Sequence, residues 1–186
     1  RYLVSLSGSE LMQELRRDLD ENEHLGHFSR KQRTAILNNW IFRGDKKAAE
    51  EFLHTNGPSL NRPWWLWSLL RKEQAKFEEA VNHIRSGIEA PSLPKMALSN
   101  EPYERLKREF SVAPGDIMKG TALLHIYIEK EDYQKIREIT GLMISTQTDV
   151  PLYVSYWNAE SHVLLNEHIE GWFAYERYLK RLFGDK

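Results

Sequence analysis

The sequence predicts an all-α fold built from stacked antiparallel helical hairpins, and three observations predict it. Apolar residues fall at helical spacings along most of the chain. Runs in which Val, Ile and Thr alternate with polar residues are nearly absent. Short turn signals recur at Gly44, Ala75, Glu131 and Asn166, separated by 31, 56 and 35 residues. A single helical hairpin cannot bury its own apolar face, so a repeat of this length implies neighbours that stack and share a core.

The elements follow in order. Segment 1–28 is predicted as a leading helix. Ser9 caps it, Glu10 lies in its first turn, and Leu11, Leu15 and Leu19 form its apolar stripe. Segment 29–91 holds two hairpins. Lys31 to Arg43 carries Ile36, Leu37, Trp40 and Ile41, Gly44-Asp45 breaks it, and Lys46 to His54 returns. Asn56-Gly57-Pro58 stops that helix. Trp64 to Lys72, the turn Glu73-Gln74-Ala75 and the return helix Phe77 to Ile88 form the second hairpin, which Pro91 closes.

Segment 92–114 is predicted as an inserted proline-rich stretch, mostly irregular. Pro91, Pro94, Pro102 and Pro114 frame it, with one short helix from Pro102 to Phe110 that Tyr103, Leu106 and Phe110 pin to the body. The insertion explains the long middle separation, since repeats of this kind run to about 34 residues. Segment 115–186 holds two more hairpins. Asp116 to Glu129 and Tyr133 to Ser145 flank Lys130-Glu131-Asp132, and Leu152 to Leu165 and His168 to Phe183 flank Asn166-Glu167. The whole chain is expected to be one helical-repeat domain.

Composition bounds the function. Among 186 residues, 41% are hydrophobic and 28% charged, enough apolar content to bury a core. Lys and Arg number 26 against 27 Asp and Glu, which argues against a strongly basic nucleic-acid binder. Cysteine is absent, which excludes disulfides, thiolate metal sites and a cysteine nucleophile. Apolar runs such as Trp64 to Leu70 are too short for a membrane span. The chain opens at Arg1 rather than Met and is expected to be a fragment of a longer protein.

Several residues resemble the tetratricopeptide repeat. In the second hairpin Trp64, Trp67, Ser68, Phe77, Ala80, Gly87 and Pro91 occupy the places of that motif's large and small residues. The fourth hairpin offers Ala159, Gly171 and Tyr175, and the first offers Gly44-Asp45 and Ala49. The third departs most, with Leu124 and Ile136 where small residues are usual. The resemblance covers about four-fifths of the chain, and it implies a right-handed superhelix with a concave groove.

Catalytic patterns are missing. Seven histidines, His24, His27, His54, His83, His125, His162 and His168, include no i, i+4 pair enclosing a glutamate. No nucleophile elbow or phosphate-binding glycine loop occurs. Asp116 reads as a helix cap, and Glu129, Glu131 and Asp132 as a solvated turn. The sequence is therefore read as carrying no enzyme site, metal or cofactor.

Aromatic content is high, at 11%. Trp64 and Trp67 share one helix face, and Trp65 points away from it by about 100°. With Trp64 and Trp67 stacking between helices, the groove implied by the resemblance receives Asn38, Arg62, Trp65, Lys72, His125, Tyr156 and Glu160. The expected function is a protein-interaction scaffold that takes a partner peptide or helix in this groove. One alternative is an accessory repeat domain of a larger bacterial envelope protein or enzyme, cytoplasmic or extracytoplasmic. A less favoured one is an RNA-binding repeat using Arg105, Lys107 and Arg108. The predicted core is Leu37, Trp40, Phe52, Trp67, Phe77, Ala80, Ile84, Leu123, Leu124, Tyr127, Ala159, Gly171 and Tyr175. Lys180, Arg181 and Lys186 are expected to cap the open end.

Overall fold

A computed structural model describes residues 30–43, 46–57, 60–96 and 102–184. The expected leading helix and the Gly44 turn lie outside the described residues. All regular structure among the described residues is helical. The chain divides into two compact units, Arg1–Ile88 and Glu89–Lys186.

The first unit contains α1 (Arg30–Arg43), α2 (Lys46–Asn56), α3 (Pro63–Glu73) and α4 (Phe77–Gly87). Pro63 opens α3, where its missing N–H costs nothing and its fixed φ suits a first turn. Helix α3 is the centre of the unit and packs on α1, α2 and α4. Leu66, Leu69 and Leu70 of α3 are buried, as are Leu37 and Ile41 of α1, Ala49, Phe52 and Leu53 of α2, and Ala80, Val81 and Ile84 of α4.

The second unit contains α5 (Tyr103–Val112), α6 (Ile117–Glu129), α7 (Tyr133–Thr146), α8 (Leu152–Leu164) and α9 (His168–Phe183). Each packs on the next. Asp116 caps α6 by accepting the Lys119 N–H at 3.1 Å, and Asp132 caps α7 by accepting the Lys135 N–H at 3.1 Å. Leu106 and Phe110 hold α5 against Leu123, Leu124 and Tyr127 of α6 and Met143 of α7. Residues 89–96 have no regular structure, yet Leu93 and Met96 pack against this same core.

Three helix pairs close with the same turn. Ala75, Glu131 and Asn166 are left-handed, with φ of 59°, 53° and 61°. In each turn the left-handed residue's N–H reaches the carbonyl three residues back, and the next N–H reaches five back. The second of these bonds are Lys76 to Arg71, Asp132 to Tyr127 and Glu167 to His162, at 2.8, 3.0 and 2.8 Å. This pair of bonds satisfies carbonyls that the helix end leaves open. Burial follows the turn. The positions seven before and five after the left-handed residue are Ser68 and Ala80, Leu124 and Ile136, and Ala159 and Gly171, and all six are buried.

The expected core needs correction at two positions. Trp67 and Phe77 are half-buried rather than buried. Trp67 is flanked by the His54 and His83 rings, so polar groups share its surroundings. The Trp40 side chain lies outside the described residues.

Candidate interaction surfaces

In the first unit, Asn38, Arg62, Trp65 and Lys72 are all half-buried. Asn38 lies on α1, and its Oδ1 is buried with no hydrogen-bond partner among the described residues. Lys72 binds Glu73 at 2.8 Å, and its ammonium stands 5.9 Å from the centre of the exposed Phe42 ring. Arg62 takes a left-handed φ of 52° just before α3, and its carbonyl accepts the Trp65 N–H at 3.0 Å. Trp65 meets the neighbouring Trp64 ring edge-on at 6.5 Å.

Arg71 of α3 ties three helices together. It binds Glu50 of α2 at 2.8 Å and Glu79 of α4 at 3.0 Å, and lies 5.2 Å from the Trp67 ring centre. The Arg71 hydrogen bond holds the Glu50 carboxyl below its ordinary range, against an opposing push from burial. His83 stacks on Trp67 with centroids 5.6 Å apart, and burial lowers its pKa.

The second unit treats the remaining expected residues differently. Tyr156 is half-buried among aromatic edges, 5.7 Å from Trp157, 6.0 Å from Tyr175 and 5.7 Å from Tyr178. Glu160 does not present itself to a partner. It is 6% exposed and accepts the Tyr175 hydroxyl's hydrogen bond. Helical spacing assigned Glu160 an outward face, but the facing Tyr175 supplies the donor that lets a polar group be buried. His125 is bound from within the unit. Its Nε2 lies 3.0 Å from the Pro94 carbonyl, so the irregular stretch 89–96 crosses the first helix of this hairpin.

Two further polar groupings are structural. Arg137 of α7 and His162 of α8 both bind Glu167 in the turn, His162 at 2.6 Å. The Arg137 bond holds the Glu167 carboxyl below its ordinary range, again against burial. Tyr103 and Tyr127 pair hydroxyl to hydroxyl at 3.0 Å, and burial pushes the Tyr127 phenol upward. Arg105 is bound to Glu109 at 2.8 Å, which removes it from the basic cluster read in the sequence.

One feature escaped the sequence reading. A cavity of about 150 Å³ opens between the end of α7, the start of α8 and the last turns of α9. Gln147, Thr148, Ser155, Asn158, Arg177 and Arg181 give it polar walls, and Ile144, Val150 and Ala174 give it apolar ones. Arg181, expected as an outer cap, turns back. It donates to Ser155 Oγ at 2.6 Å, to Asp149 at 3.1 Å and to the Val150 carbonyl. Among the described residues no ion pair or hydrogen bond holds Arg177.

No three His, Asp or Glu side chains among the described residues converge as metal ligands. No described helix is long and apolar enough to cross a membrane. Neither a protein-family model, nor a curated protein, nor a solved structure matches the chain.

Proposed function

We propose that this chain is a protein-interaction module of tetratricopeptide-like helical hairpins that takes a partner peptide or helix. The observation that carries the reading is the equivalence of Trp65 and Tyr156. Each stands ten residues before the left-handed residue of its hairpin turn, on the first helix, and each is half-buried. Large aromatic groups with one accessible edge suit hot spots, because they contribute apolar area at low entropic cost. A second support comes from residues 89–96. There a first helix already accepts an irregular stretch of chain, through a side chain on a backbone carbonyl. In this reading the proline-rich stretch is an insertion in a superhelical array, and the module has no chemistry of its own.

Selection of a random peptide library on the protein tests the reading. Enriched peptides are expected to share a motif and to lose about tenfold or more in affinity against Trp65→Ala or Tyr156→Ala, the loss typical of a hot-spot aromatic. Enriched peptides that bind both variants at unchanged affinity would overturn it.

A further inference from the structure

We infer that the cavity between α7, α8 and α9 is a carboxylate-binding site, filled by an acidic side chain of a partner protein. The inference rests on the interaction reading above and supplies a chemistry for one contact. Two guanidinium groups, Arg177 and Arg181, line the cavity, and no carboxylate does. Asp149 binds Arg181 but is 94% exposed, outside the lining. Arg181 is fixed by Ser155, Asp149 and the Val150 carbonyl, so its orientation is set before any ligand arrives. Ser155 accepts from Arg181, which leaves its own hydroxyl proton available to donate into the space it lines. Arg177 lines the same cavity and is held by no ion pair or hydrogen bond among the described residues.

The dimensions suit a carboxylate on a short stem. The apolar walls at Ile144, Val150 and Ala174 fit methylene groups, while the arginines take the charge. Arg177 also continues a line on α9 from the exposed Ile169 and Phe173, four residues apart each time. A partner that places an acidic side chain in the cavity can lay apolar side chains along that line, which favours a protein over a free small anion.

Propionate, which reproduces a glutamate side chain's end, is the probe. In a nuclear magnetic resonance titration, propionate is expected to shift the backbone amides of Ser155, Asn158 and Arg177 saturably. Uncharged propionamide is expected to leave them in place. Arg177→Gln, an exposed substitution, is expected to weaken propionate binding by about fivefold or more. Equal shifts from propionamide would overturn the inference, as would propionate binding that Arg177→Gln leaves unchanged. Inorganic phosphate in a parallel titration separates the sources. Tighter binding of phosphate than of propionate would replace the acidic side chain by a free oxyanion. Peptide selection reads Trp65 and Tyr156 instead, so failure of either experiment leaves the other interpretable.

Discussion

The indole of Trp64 covers Gly87 so closely that a Cβ on the glycine would come within 2.1 Å of the ring. The two residues meet at the open end of one hairpin, Trp64 at the start of α3 and Gly87 at the end of α4. The absent side chain lets the ends of the two helices meet through a flat aromatic face. Gly87→Ala is expected to destabilise the first unit by about 1–3 kcal/mol. Trp64→Ala combined with Gly87→Ala should cost less than the two single changes added, because the clash disappears. Thermal unfolding of the three variants checks this, and strict additivity would remove the contact from the account.

Ala80 and Ala159 are each fully buried on opposite helices of their hairpins, one five residues after its turn residue and the other seven before. Enlargement to Leu at either position should overpack the interface and cost about 1–3 kcal/mol. Urea unfolding gives the measurement. Unchanged midpoints in both variants would contradict the shared register of the hairpins.

The left-handed turn residues provide a test with the opposite sign. Glu131 holds φ of 53° without any glycine's freedom. A left-handed conformation costs an ordinary residue about 1–2 kcal/mol, and glycine's extra unfolded-state entropy returns part of that. Glu131→Gly is therefore expected to stabilise the protein by about 0.5–1 kcal/mol. Asn166→Gly should gain less, because asparagine tolerates this conformation better. A fall in stability for Glu131→Gly would show that its side chain contributes something beyond the turn.

Acid should weaken the α7, α8 and turn network. Arg137 holds the Glu167 pKa below its unfolded value of 4.5, so the folded state binds fewer protons there. The resulting stabilisation is present above that value and is lost as the pH falls through the folded pKa. Stability measured by denaturant should decline below about pH 4.5, and Glu167→Gln should flatten that part of the decline. Glu50, lowered by Arg71, adds a separate contribution with the same sign. Identical acid limbs in the parent and Glu167→Gln would show that the network carries none of it.

The helices were legible because their punctuation is local. Ala75, Glu131 and Asn166 were identifiable as turns from sequence alone, and they are the residues whose φ is left-handed. Asp116 read as a cap and is one. The interaction residues were less legible, because a helical wheel knows only its own helix. Glu160 looked outward until Tyr175 met it, and His125 looked open until Pro94 crossed it. Arg181 looked like a terminal cap, but its partners lie 26 to 32 residues earlier. The cavity joins three elements, and no periodicity along one of them foretells it.

The recurrent turn also bears on how the chain is made. Each bond in it spans at most five residues, and the two helices it joins are consecutive in sequence. Closing such a hairpin requires little loop entropy, which favours fast folding. Synthesis at about 5–20 residues per second needs seconds to deliver the next hairpin, whereas helix formation and loop closure take about a microsecond or less. A nascent chain therefore has time to close α3 on α4 long before α8 and α9 leave the ribosome. The Gln74-Ala75-Lys76 turn can then close while the later hairpins are still being synthesised.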